Sequence, residues 1–470
     1  MENKEKKAIS RRRFLGLMGA GAAAAGAMTM TGCGNKQNAM YDPAGHHSTP
    51  VPGADQMTYR SWPNLDNDRI SLLGYGCMRW PMINDADGRP QAVDQERVNE
   101  LIDYAMAHGV NYYDTSPAYC MGLSEKATGD ALKKYPRESY YIATKLSNFD
   151  PRTHSYEGSK LMYENSFKEL STDYIDYYLL HVMGQGGLAM SKRRFFENGM
   201  YDFLLKEKEA GRIRHLGYSF HGDQETFDWT MEEHDKGNFH WDFVQIQMNY
   251  LDWHHAVGAS MTAEYMYTEL TKRDIPVVIM EPLLGGRLAN IPNHLVARLK
   301  QAEPENSVAS WAFRFCGSHT NVYCALSGMT YMENLQDNIR SFAPLKELTD
   351  EEKEFLYVTA DLMQDYPTVP CNQCNYCMPC PYGLDIPGIL THYNKCVNQG
   401  YLPESQQDAN YREARQAFLV GYDRTVPRMR QASHCTNCNQ CSPHCPQMIN
   451  IPDWMNRIDD FVEKLKQNTL

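Results

Sequence analysis

At 470 residues the chain is long for one domain and suits a barrel of about 250 residues with further units attached. Its net charge of −12 argues against a nucleic-acid partner, because a phosphate backbone is held by a basic face. Fourteen cysteines would read as a disulfide framework if evenly spread, but eight stand in two tight groups near the C-terminus, which favours metal.

The chain opens with Lys4, Lys6 and Lys7, then S-R-R-R-F-L-G, then a Gly/Ala/Met run to about Thr31. A charged stretch before a mild apolar one is a targeting pattern. The run is too short and too rich in Ala and Gly for a stable span, which asks for about 20 apolar residues. Ser10 to Leu15, with Arg11, Arg12 and Arg13, resembles the twin-arginine export signal. M-T-G-C-G-N resembles a lipoprotein cleavage box, with Met30 where Leu is preferred. These resemblances imply export in the folded state. The product is then either periplasmic or held at the membrane only by a lipid on Cys33. Residues 34–66 are rich in Gly, Pro, Ser, Asn and Asp and read as a flexible tether, with His46 and His47 solvated in it.

Alternating strands and helices follow. R-I-S-L-L-G-Y-G-C-M-R-W-P reads as the first strand and its loop. Val98, Leu101, Ile102 and Ala105 lie at helical spacing in a segment that Gly109 closes. N-Y-Y-D gives a strand ending near Asp114, with Tyr119 on the loop after it. A helix over 124–134 precedes a strand ending at Lys145, and a helix over 159–170 precedes a strand ending at His181. A helix before Gly211 precedes I-R-H-L-G-Y-S-F. Further strands are F-V-Q-I-Q-M, I-P-V-V-I-M-E-P and N-V-Y-C-A-L-S-G. Repeated βα units predict a parallel sheet under covering helices, and V-V-I-M is apolar on both faces, as a strand buried on both sides requires. In a closed parallel barrel the C-terminal strand ends share one mouth. Asp114, Tyr119, Lys145 and His181 would meet there as an acid site. A phenol with a pKa of about 10 needs a cation to become a useful acid. Lys145 can supply it, Asp114 can hold the lysine, and His181 can orient a carbonyl.

D-T-S-P-A-Y followed by S-E, then T-K and L-L-H, resembles the aldo-keto reductases. The resemblance implies a (β/α)8 TIM barrel and a catalytic tetrad of Asp114, Tyr119, Lys145 and His181, with Tyr119 as general acid. It also implies a nicotinamide site of Ser219, Phe220, Gln245, Met280, Leu283, Gly285, Gly286, Ser327 and Asn338. Phe220 stands in place of an Asn, and Met280 in place of a stacking aromatic. No Lys or Arg stands in S-G-M-T-Y-M-E-N-L-Q-D-N to clamp a 2′-phosphate, which puts NADPH in doubt. NAD(P)H is possible, and NAD(H), or a cofactor held differently, stays open.

After a helical connector around 349–364 come C-N-Q-C-N-Y-C-M-P-C-P, with Cys371, Cys374, Cys377 and Cys380, and C-T-N-C-N-Q-C-S-P-H-C-P, with Cys435, Cys438, Cys441 and Cys445. The second run has bacterial-ferredoxin spacing and the first is one residue shorter before its last Cys. Each run precedes an Ile-Pro pair, so the unit is an internal pseudo-repeat. The spacing implies two 4Fe–4S clusters with crossed ligands: Cys371, Cys374, Cys377 and Cys445 for one, and Cys435, Cys438, Cys441 and Cys380 for the other. Zinc, the alternative, needs fewer thiolates than this. The expected organisation is therefore 1–33 signal, 34–66 tether, 67–345 barrel, 346–366 connector and 367–470 a small α-rich ferredoxin-like iron–sulfur domain. The whole resembles an exported subgroup of the aldo-keto reductases and implies oxidoreduction of a small carbonyl or alcohol, with a redox protein as a further partner. The alternative is an electron-transfer or ligand-binding lipoprotein whose barrel has lost hydride chemistry.

Overall fold

The structure, a computed structural model, describes residues 42–85, 90–256 and 261–470; the export motif and Cys33 lie outside them. Eight parallel strands close into a barrel: β1 (Leu73–Gly76), β2 (Tyr112–Asp114), β3 (Tyr141–Leu146), β4 (Ile175–Met183), β5 (Ile213–Phe220), β6 (Phe243–Gln247), β7 (Val277–Met280) and β8 (Val322–Ser327). Closure comes where β8 pairs with β1, Ala325 opposite Leu73, and chain order is otherwise kept around the ring. The strand sequences explain why. Every residue of β4 is buried, and its side chains divide by parity. Tyr177 and Leu179 point into the barrel with Tyr112, Ala143, Phe243, Val278 and Tyr323. Tyr178 and Leu180 point outward into the layer under the helices. The helix Gln95–Ala107 shows how that layer is sealed. Asp94 caps it, and it buries Val98, Leu101, Ile102 and Ala105. Gly109 then takes a φ of +87° that lets the chain turn into β2.

Two expectations change at the N-terminal side. From residue 42 onward the segment expected as a tether packs on the barrel, burying Met57 and Leu65. Its composition gave no sign of this, because it is held by long-range side-chain-to-backbone bonds. Lys300 donates to the carbonyls of Ala44 and Asn306. The Arg60 guanidinium donates to the carbonyls of His319 (2.7 Å), Gly317 (2.5 Å) and Val322. The stretch expected as one first strand is also divided. Ile70–Ser71 pairs antiparallel with Tyr59–Arg60, and only Leu73–Gly76 enters the barrel.

Helix Asp350–Met363 starts at a capping box of Thr349 and Glu352 and sends Leu356 and Ala360 into the barrel's outer core. The C-terminal unit has its own core, built by helices Ile386–Asn398, Tyr411–Thr425 and Ile451–Gln467 around Ile389, Phe418, Tyr422, Ile458 and Leu465. Pro387 and Pro452 stand in the first turn of their helices, where a missing N–H costs nothing, which accounts for the repeated Ile-Pro. Among the described residues no helix is long and apolar enough to cross a membrane.

Removing the Arg60 fork strands three carbonyls at the foot of the barrel. Arg60→Met is expected to lower stability by about 2–4 kcal/mol, read as an earlier denaturant midpoint. An unchanged midpoint would mean the N-terminal hairpin is not part of the cooperative unit.

Candidate active site

Because β2, β3 and β4 end at one rim, Asp114, Lys145 and His181 arrive together, with Tyr119 on the 3-10 turn Tyr119–Gly122 beside them. That loop is pinned from below. The Thr115 N–H donates to Ala143, the Thr115 and Ser124 hydroxyls lie 2.8 Å apart, and Ser124 donates to the Cys77 carbonyl. Lys145 Nζ donates to Asp114 Oδ1 at 2.5 Å and to the Thr115 carbonyl at 2.9 Å. Gln245 reaches across from β6 to Asp114 Oδ2 at 3.0 Å. His181 Nδ1 lies 2.5 Å from the Ser147 hydroxyl, and its ring meets Tyr119 edge-on, with centroids 5.8 Å apart.

The electrostatics differ from expectation at one point. Lys145 stands over the face of the Tyr119 ring, 4.8 Å from its centroid, and is occupied by Asp114. Burial pushes the Tyr119 phenol well above its ordinary value, and Tyr376, Asp114 and Glu281 add to the rise. Burial is thus the dominant influence on the phenol. Burial also raises Asp114 against the pull of Lys145, and lowers Lys145 against the pull of Asp114. His181 is held neutral, first by burial and then by Lys145 and Arg194.

The residues expected to hold a nicotinamide are committed to other partners. The Ser219 hydroxyl accepts from the Val182 N–H at 2.9 Å. Phe220 packs edge-on against Phe227, and Gln245 is spent on Asp114. Asn338 donates to Ser327 at 2.9 Å, and Met280 ends β7 half-buried. Leu283 accepts the Gly286 N–H at 2.9 Å, and the Gly285 N–H serves the Glu281 carboxylate. Burial raises that carboxylate to about 7.

Sequence reasoning missed what covers the mouth. The first cysteine run lies on it. Arg79 donates to the Asn372 carbonyl at 2.5 Å, and Asn372 donates to Glu281 at 2.9 Å. The Tyr376 hydroxyl stands 3.4 Å from His181 Nε2, with Phe149 beside the ring. From the second run, Gln447 donates to Gln247 at 2.9 Å. One signal was available. Aligning the two repeats sets Tyr376 opposite Gln440, a lone aromatic among the spacer residues.

The cysteines group across the repeat. Cys371, Cys374, Cys377 and Cys445 line one cavity. Cys441 feels the charge of Cys380 and Cys435. Matched positions in the two runs take left-handed backbone: Gln373 and Asn437, Asn375 and Asn439. Among the described residues no three His, Cys, Asp or Glu close to the spacing of a single ion, for which thiolates would stand about 4 Å apart.

These features define an α/β-barrel oxidoreductase. A model described as the aldo/keto reductase family matches residues 72–355, and the chain belongs to that family. The match ends before the cysteine runs. L-galactose dehydrogenase of Arabidopsis thaliana is 23% identical over 312 residues, covering 63% of this chain and 91% of that protein. Protein tas of Escherichia coli is 26% identical over 342 residues, covering 61% and 93%. The holo form of aldo-keto reductase AKR11C1 from Bacillus halodurans superposes with a TM-score of 0.52 at 21% identity, covering 64% of this chain and 96% of that one, and shows the shared fold.

Glu125, behind the tetrad, accepts from Thr144 at 2.5 Å, and burial raises it from 4.5 to about 7. Between those values the folded chain keeps a proton that the unfolded chain has lost. Stability from this group is therefore full below 4.5 and falls as pH rises through about 7. Glu125→Gln is expected to shrink the drop in Tm between pH 5 and pH 8; an equal drop in both proteins would remove Glu125 as its source.

Proposed function

We propose that this barrel reduces a small carbonyl compound to its alcohol at the tetrad, a two-electron, two-proton change in which Tyr119 gives the proton that ends on oxygen, solvent gives the proton that ends on carbon, and an external reductant gives both electrons by way of the clusters. The convergence of Tyr119, Lys145–Asp114 and His181 on one rim carries the reading. Burial of the phenol bears on direction. A weak acid parts with its proton only to a stronger base, and a developing alkoxide, whose conjugate acid lies near water's value of about 15.7, is such a base. The same burial makes Tyr119 a poor choice for abstracting a proton from an alcohol. Neutral His181 is placed to hydrogen-bond the carbonyl oxygen, and the Asp114–Lys145 pair keeps a cation beneath the ring.

The eight cysteines are read as ligands of two 4Fe–4S clusters, in the crossed sets Cys371, Cys374, Cys377 and Cys445, and Cys435, Cys438, Cys441 and Cys380. The shared cavity of the first set supports this. So do Arg79 and Arg287, whose charges act on Cys371 where an anionic group would sit. The left-handed residues also stand at matched places in the two runs, a backbone conformation that recurs in anion-holding loops. Such clusters, when bound, supply electrons one at a time. The export reading of Arg11 and Arg12 and the lipid on Cys33 complete the proposal: a redox enzyme placed outside the cytoplasm.

Two measurements test it. Anaerobically reconstituted protein is expected to hold about eight iron and eight sulfide per chain; bound zinc without acid-labile sulfide would refute the cluster reading. Tyr119→Phe is expected to cut kcat for a panel of small aldehydes and ketones by about 100-fold or more, with reduced viologen or NADH as donor. Unchanged turnover would show that the tetrad is not the acid.

A further inference from the structure

We infer that the barrel does not take a nicotinamide dinucleotide at the place its family resemblance assigns, because the chain's own segment Cys371–Cys377 occupies that side of the mouth. Four observations carry this. A Cβ built on Gly285 would lie 2.0 Å from the Asn372 carbonyl oxygen, so the glycine that should let an anion approach instead admits this chain's own backbone. Two N–H groups of the loop are spent, Leu284 on the Glu281 carbonyl and Gly286 on the Leu283 carbonyl, and the Gly285 backbone faces the Glu281 carboxylate. The Glu281 carboxylate beside Gly285, which also accepts from Asn372, would face a pyrophosphate with like charge. Above the tetrad, Tyr376 fills the space facing His181 and Phe149, where the reactive ring of a cofactor would have to lie to reach a carbonyl held by Tyr119.

The contacts of the segment run around the rim and are not confined to one edge. Asn372 is fixed from Arg79 after β1 and from Glu281 after β7, and Tyr376 meets His181 on β4. Arg287 donates to Thr368 just ahead of the run at 3.2 Å, and Gln447 holds Gln247 at the end of β6. Displacing the segment for a dinucleotide would break the charge-assisted bond from Arg79 to the Asn372 carbonyl and the bond from Asn372 to the Glu281 carboxylate.

The test uses the full chain with its iron and sulfide reconstituted anaerobically, and NADH and NADPH as probes. Equilibrium dialysis and nicotinamide fluorescence are expected to give no saturable binding up to about 1 mM, the top of the ordinary KM range. Hydrogen exchange over residues 283–288 is expected to be the same with and without 1 mM of either nucleotide (about that same ceiling). Saturable binding of either one, or new protection of residues 283–288, overturns the inference. The result is separable from the carbonyl reading. Nicotinamide binding with loss of turnover in Tyr119→Phe removes this inference alone, whereas absent binding with unchanged turnover removes the carbonyl reading alone.

Discussion

A lysine with no exposed surface stands at the centre of the molecule, and much of the surrounding design answers to it. Taking an ammonium out of water costs several kcal/mol even after relaxation, so Lys145 must be matched at close range. Asp114 matches it from the neighbouring strand, the Thr115 carbonyl takes a second proton, and Gln245 steadies the far carboxylate oxygen from the other side of the barrel. One buried charge thus ties β2, β3 and β6 together through the barrel interior. It also sets the register in which the tetrad meets, since a slip of one residue would turn Lys145 outward into the helix layer.

The same demand shapes the mouth. An ion pair and a neutral histidine under an open rim would be wetted, and their mutual influence screened. Here the rim is closed by polar groups that already have partners. Arg79, Glu281, Asn372 and Tyr376 form a lid whose donors and acceptors answer those of the strand ends. The lid and the floor are built alike. Arg60 below and Arg79 above both spend a guanidinium on backbone carbonyls, a use to which its planar fork is suited.

Much of the barrel was legible because it rests on short-range pattern. I-R-H-L-G-Y-S-F is β5 residue for residue, and the alternation of buried side chains needed only period two. The places of Asp114, Lys145 and His181 were legible for the same reason, as polar residues at the ends of apolar runs, and Tyr119 as the tyrosine on the loop after the first of them. What failed depended on partners far away in the chain. The resemblance put Gly285 and Gly286 in a nicotinamide site, but glycine records only that something comes close, not what; the visitor is a carbonyl 87 residues later, at Asn372. Chain order also placed Lys145 beside Tyr119 without saying that its ammonium lies over the ring, or that the phenol is buried. The Pro-rich stretch before residue 66 was misread because Arg60 finds its carbonyls more than 250 positions away.

The positions of floor and lid in the chain have a consequence for biosynthesis. Residues 59–71, which shut the bottom, precede the first barrel strand, and residues 371–377, which cover the top, follow the last one. A nascent chain therefore acquires its base before its walls and its roof after them, since domains tend to fold as they emerge, N-terminal part first. Until the cysteine segment leaves the ribosome, the completed ring stands open above Lys145 and His181. During that interval the tetrad meets solvent without the cover that Asn372 and Tyr376 later provide.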